Sequence, residues 1–131
     1  NGRLMATGLS TYLCNSFLNA LGNNTSYAVT QVYIKLHVGD PGSAATANAA
    51  TETTRKSVSF AAASAGAIAS DADISWTNIS GLQDATHFSA WDSLTVGNFL
   101  FSGTITGNAY TAGDTYTISS GNLSASLTVA S

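Results

Sequence analysis

Catalysis and metal binding need side chains that titrate, attack or coordinate, and this sequence offers few: His37, His87, Cys14, Glu52 and six aspartates. No phosphate-binding loop, dinucleotide fingerprint, HExxH run or nucleophile elbow is present. A single cysteine forms neither an intrachain disulfide nor a cysteine-based zinc site, so Cys14 reads as a small buried hydrophobe. His37 falls on the polar face of a strand pattern and reads as a solvated or hydrogen-bonded surface imidazole. His87 precedes Phe88 and lies four residues before Trp91, where a hydrogen-bonding structural role beside aromatics suits it better than metal ligation. Asp71 and Asp73 are the one acidic pair at i, i+2 spacing; without the remaining EF-hand ligands they mark a solvated turn. The sequons at Asn23, Asn24, Asn78 and Asn122 carry little weight in a chain so rich in Asn, Ser and Thr. No catalytic residue, metal or cofactor is expected.

Charge excludes further classes. Lys and Arg number 4 and Asp and Glu 7, so 8% of the chain is charged and the net charge is -3, against about 25% charged residues in an ordinary domain. Four cations cannot track a phosphate backbone or dock on an anionic bilayer, which excludes nucleic-acid and polybasic membrane binding. At 44% hydrophobic the chain is too apolar for a disordered tail, and its apolar runs are too short to span a bilayer.

The elements that must position these residues follow from periodicity. With 131 residues one domain is expected, residues 5–131, large enough to bury a core without disulfide or metal. Met5 looks like a natural start, with residues 1–4 an expression scar or upstream extension; no signal peptide is read. Leu9, Leu13, Phe17 and Leu21 recur every fourth position, predicting a helix over about residues 7–22, stopped by Gly22, with an uncharged polar face of Thr11, Asn15, Ser16 and Asn19. From Thr30 to Val38 the period becomes two, with Val32, Ile34, Leu36 and Val38 alternating with Gln31, Tyr33, Lys35 and His37. Gly39-Asp40-Pro41-Gly42 ends that strand, and Ser43 to Thr53 reads as a surface loop. Short strands follow at about 54–60, 67–70, 73–77, 86–92, 98–106, 114–118 and 123–129; in the last, Leu123, Ala125, Leu127 and Val129 alternate inward. The expected fold is mainly β, an antiparallel sandwich or a barrel-like, jelly-roll-like form with one short N-terminal helix. Trp76, Phe88, Trp91, Phe99 and Phe101 should supply much of the core, and Tyr110 and Tyr116 lie near turns.

Several runs together resemble a known family. They are Leu36-His37-Val38-Gly39-Asp40-Pro41-Gly42, Ala49-Ala50-Thr51-Glu52-Thr53-Thr54-Arg55-Lys56, Thr86-His87-Phe88-Ser89-Ala90-Trp91-Asp92, Gly97-Asn98-Phe99-Leu100, Ser102-Gly103 and Ala112-Gly113-Asp114-Thr115, after an opening Met5-Ala6-Thr7-Gly8-Leu9-Ser10. In this order they resemble small tailed-bacteriophage virion proteins, usually labelled tail-fibre or minor tail proteins. Val38 departs from the Thr expected in the first run, and Cys14 is not part of the pattern. The resemblance covers nearly the whole chain from Met5. It implies a virion component assembled in the bacterial host cytoplasm, with no catalytic residues to carry over. Its partners would be other tail or capsid proteins. Capsid decoration and a carbohydrate-binding adhesin that recognises a host surface glycan stay as alternatives; exposed aromatics beside Asp or Asn would favour the adhesin, and a His with a carboxylate in a cleft would favour an enzyme.

So few charges leave sheet edges unprotected, which favours subunit contact and a homo-oligomer, a trimer above other numbers. The expected interface joins the helix to the following loop through Leu13, Ser16, Phe17, Asn19, Pro41, Ala47 and Asn48. Circular dichroism of the purified protein should be β-dominated, and its helical signal should fall when residues 7–22 are removed; a helix-dominated spectrum overturns the reading.

Overall fold

A computed structural model describes residues 7–81 and 83–130. The opening residues 1–4, Met5 and the Tyr110 side chain, on which expectations were placed, lie outside the described parts. One helix, α1 (Thr11–Gly22), precedes eight strands: β1 (Val32–His37), β2 (Lys56–Val58), β3 (Ala67–Ala69), β4 (Ile74–Trp76), β5 (Gln83–Trp91), β6 (Phe99–Tyr110), β7 (Tyr116–Ile118) and β8 (Ser124–Ser126). All pair antiparallel, in a four-stranded sheet of order β2-β1-β5-β6 and two ribbons, β3-β8 and β4-β7. The fold is therefore mainly β, and the described strands form no closed barrel.

The main sheet buries one face by simple alternation. Ile34 pairs with Ala90 and Leu36 with Phe88, and all four are buried. Across β5, Phe88 faces Gly103 and Ala90 faces Phe101, with the Phe88 and Phe101 rings edge-on at 5.8 Å. The β4-β7 ribbon adds Ile74, Trp76, Tyr116 and Ile118 to the same cluster. Trp76 donates its indole N–H to the Thr54 carbonyl at 2.7 Å, satisfying the one polar atom its burial would otherwise strand.

The helix begins later than the sequence period suggests. Ser10 is the N-cap, its hydroxyl accepting from the Leu13 amide at 3.0 Å. Residues 8–10 instead run beside β6, where Ser10 N–H donates to the Leu100 carbonyl at 2.7 Å and Ser102 N–H to the Gly8 carbonyl at 2.8 Å. Gly22 belongs to the helix, and Asn23 caps it. Leu13 is the buried residue of α1; Cys14 is half-buried and Leu21 is 83% exposed.

Other expectations are corrected. His37 is fully buried rather than on the surface, because the segment after β1 folds back over it. That segment is not a free loop: Pro41, Ala45 and Ala50 are buried, and Val38 N–H donates to the Asn48 carbonyl at 2.8 Å. The inward pattern of the last strand stops at Ala125, since β8 ends at Ser126 and leaves Leu127 51% and Val129 56% exposed.

A Cβ added at Gly103 would meet Phe88 Cε2 at 2.8 Å. Gly103→Ala should therefore cost about 1–3 kcal/mol in urea unfolding, since Phe88 is buried and cannot swing aside. An unchanged midpoint would show that the ring has room.

Candidate functional site

Two of the runs noted above meet at the β1–β5 seam, where His37 lies opposite His87 and Lys35 opposite Ser89. His37 Nδ1 is 2.9 Å from the Ala47 carbonyl, and Nε2 is 2.8 Å from Ser89 Oγ. A carbonyl only accepts, so this network assigns the ring proton to Nδ1 and leaves Nε2 to accept from the Ser89 hydroxyl. Trp91 Nε1–H donates to Ser89 Oγ at 2.8 Å, completing a chain from indole to hydroxyl to imidazole to backbone. Burial lowers the His37 pKa below its ordinary 6.5, with Lys35 and His87 acting in the same direction against the backbone of Ala47 and Asn48.

A serine within 2.8 Å of a histidine is the spacing of a nucleophile and its base. Here both residues have 0% exposure, and the serine oxygen already accepts from Trp91. The arrangement can hold strands and loop together; it offers no path for a substrate to reach the hydroxyl. Sequence reasoning missed it because Ser89 lies 52 positions from His37 and carries no motif of its own.

The remaining polar groups of the resemblance runs hold turns. Asp40 Oδ1 accepts from the Gly42 amide at 2.8 Å, and Asp114 Oδ2 from the Thr111 amide at 2.9 Å. Asp92 takes the Asn98 amide at 2.8 Å and its side-chain NH2 at 2.9 Å. Glu52 accepts from the amides of Ser80 and Thr54, both at 3.2 Å. Burial opposes its ionisation, but bonds from Thr54 and Ser80 outweigh that and hold its pKa below 4.5. Arg55 lies 4.1 Å over the Trp91 ring and donates through one NH2 group to the carbonyls of Ser93 and Val96 at 2.8 and 2.7 Å. His87 Nδ1 is 2.8 Å from its neighbour Thr86 Oγ1. Asp71 takes the Ser59 hydroxyl and Asp73 the Ser120 amide, so each serves a separate contact. Among the described residues, no three His, Cys, Asp or Glu side chains gather where they could hold a metal.

The open concavity is apolar. A groove of about 450 Å³ lies between Leu13 and Phe17 of α1, Tyr27 and Val32 ahead of and within β1, and Ala125 and Leu127 of the β3-β8 side. Tyr27 packs edge-on against Tyr12 and Phe17, at 6.2 and 6.1 Å. Of the expected interface residues, Leu13 lines this groove from within the core and Phe17 lines it while exposed. Ser16 is half-buried, and exposed Asn19 accepts from Asn23 Nδ2 at 2.8 Å. Pro41 is sealed inside, Ala47 is half-buried with its carbonyl taken by His37, and exposed Asn48 donates to the Asp40 carbonyl at 2.9 Å. The structure does not bring the two halves together. Residues 48–50 extend the β1 edge, whereas residues 8–10, which lead into α1, extend the β6 edge on the far side of the sheet.

Fold and surface define a class of protein: a charge-poor antiparallel β-module with many of its polar side chains engaged in its own turns and with an apolar groove beside α1. The chain belongs to a phage fibre family; over residues 8–126 it matches the family model described as Podophage GP4 fiber I protein gp80. It is a phage fibre structural protein, of the tail-fibre type its runs resemble, and a component of the virion. Comparison with curated proteins gave no match. Among the described residues no helix is long and apolar enough to cross a membrane.

Ser89→Ala should lower stability by about 2 kcal/mol, because it leaves a buried imidazole nitrogen and the indole N–H of half-buried Trp91 without their partner. Ser75→Ala removes an exposed hydroxyl pair with Thr117 and should stay within about 0.5 kcal/mol. Denaturant titration of both checks the order; equal effects would remove the buried chain's special weight.

Proposed function

We propose that the chain acts without catalysis, as a tail-fibre subunit that assembles with further copies of itself and with other phage tail proteins, the trimer being the favoured number. One observation carries this. Among the described residues, the exposed large hydrophobic ones are Tyr12, Phe17, Leu18 and Leu21 on α1, Leu94 and Val96 in the β5–β6 turn, and Leu127 and Val129 after β8. Phe17 and Leu127 line the groove itself. The turn begins at Asp92, next to the Tyr33–Trp91 pair and so beside Val32 of the lining. Apolar surface left in water at one end of a small protein favours association, at about 25 cal/mol for each Å² covered. The groove lining contains no Asp, Glu, Lys, Arg or His, which suits an equally uncharged partner such as a second copy.

A threefold arrangement suits a fibre axis and closes the association. The family description names a fibre, which supports the fibre reading over capsid decoration. The adhesin reading draws on Tyr33, Trp91 and Phe99, which are paired across three adjacent strands. Arg55 covers the Trp91 ring and Asp92 is taken up by Asn98, so that row offers a glycan little free stacking surface.

Sedimentation and light scattering across micromolar concentrations test the assembly. A mass of three chains of 13.3 kDa is expected. Phe17→Lys or Leu127→Lys should dissociate it with the circular dichroism unchanged, since a charge buried unpaired at an interface costs several kcal/mol and an exposed one at most about 0.5 kcal/mol. A monomer at every concentration with the sheet intact overturns the proposal.

A further inference from the structure

The segment after β1 is a compact unit with few hydrogen bonds to the sheet, although Pro41, Ala45 and Ala50 are buried. Within itself, Ala47 N–H donates to the Pro41 carbonyl at 3.0 Å and Asn48 Nδ2 to the Asp40 carbonyl at 2.9 Å. Its hydrogen bonds to the sheet are Val38 N–H to Asn48 O at 2.8 Å, Ala50 N–H to Leu36 O at 3.2 Å, and the His37 imidazole to Ala47 O. Two of its residues are held in the left-handed region without being glycine, Ala45 at φ 57° and Asn48 at φ 55°. Such residues store strain that opening releases.

We propose that Gly39–Ala50 is an acid-released strap: protonation of His37 frees it from the β1 edge while the four-stranded sheet stays folded. The hydrogen-bond chain admits only a neutral ring. With both ring nitrogens protonated, Ser89 Oγ would have to accept from His37 and from Trp91 together. Its own proton would then have no acceptor within the chain, at a site with 0% exposure. The surrounding charges add to this. Lys35 on β1 and His87 on β5 both act against a cation at His37, as burial does, while the strap's backbone at Ala47 and Asn48 favours one and is outweighed. The strap's one titratable group, Asp40, has its carboxylate engaged with the Gly42 amide.

The direction of the pH effect follows. His37 is held below 6.5 when the strap is closed and returns to its ordinary value when the ring meets water. Opening therefore binds a proton at pH below 6.5 and becomes about tenfold more favourable for each unit the pH falls, until the closed-state pKa is reached. Above 6.5 it is independent of pH. The Glu52 contribution is also lost with acid, but only below 4.5, so the two windows are separate.

Hydrogen exchange of the whole protein between pH 7.5 and 5, corrected for intrinsic rates, reads this directly. Below 6.5 the Val38 and Ala50 amides should lose protection as the pH falls, by up to about tenfold per unit until the closed-state pKa is reached, while those of Phe88 and Ala90 hold theirs. His37→Asn, which keeps an N–H for the Ala47 carbonyl but does not titrate, should abolish the pH dependence. His87→Asn should retain it. Strap and sheet amides opening together, or a pH dependence that survives in His37→Asn or vanishes in His87→Asn, overturns the proposal. If His37→Asn does not fold, nitrogen NMR of the wild-type imidazole decides instead. The Nδ1–H form is expected at pH 7.5, with protonation tracking the loss of Val38 protection; protonation without that loss overturns it.

Discussion

The His37 ring nitrogens face one carbonyl and one hydroxyl, and that pairing constrains everything around it. A carbonyl cannot donate, so the ring must point its proton at Ala47 and accept from Ser89. Ser89 must in turn take its remaining bond from Trp91, which fixes the indole. Arg55 lies over that indole and reaches the carbonyls of Ser93 and Val96. One buried imidazole thus joins the segment after β1, the middle of β5 and the β5–β6 turn. A buried polar group without a partner costs about 1–3 kcal/mol, so each broken link carries that cost.

Scarcity of charge explains why the scaffold uses such links. With four Lys and Arg in the chain, ion pairs cannot organise its turns. Side-chain carboxylates bind backbone N–H groups instead, as Asp40, Asp92 and Asp114 each do within a few residues of themselves. The runs that carry the family resemblance place their Asp, Glu and Arg side chains in turns, and place His37 and Ser89 in a buried clasp between β5 and the segment after β1. Val96 shows the same logic under strain: a β-branched residue at φ 57° is tolerated where Arg55 holds its carbonyl.

Local pattern made much of this legible. The sequence places every strand, because alternation and turn residues are local signals, and Ile34, Leu36, Trp76 and Phe88 fall in the core as their spacing implies. What fails depends on tertiary contacts. His37 alternates with the core residues and so looks solvated, yet the opposite face of the sheet is covered there by residues 41–50. Leu127 and Val129 alternate as a strand would, but β8 stops pairing at Ser126. Leu9 keeps the helical period and yet bridges to Phe101, since the Ser10 cap leaves it outside the helix. The clasp was beyond reach, because Ser89 and His37 are neighbours only through the register of β1 on β5.

The proposed assembly rests on side chains more than on sheet edges. A charge deficit first implies bare sheet edges, which is an argument about backbone groups. The chain, however, covers part of its own edges: residues 8–10 bond along β6, and residues 48–50 continue the line of β2 beside β1. Backbone pairing is thus partly satisfied within one subunit. What stays in water is side chain, with Leu21 83% and Val96 82% exposed near an uncharged groove. Association driven by such surface is non-directional and scales with the area covered, whereas edge pairing fixes register strand by strand. In the proposed assembly, orientation between subunits would come from the shape of the groove and from the braced β5–β6 turn. A rigid turn would serve the proposed assembly, because a mobile Leu94 or Val96 would have to be ordered at the moment of contact.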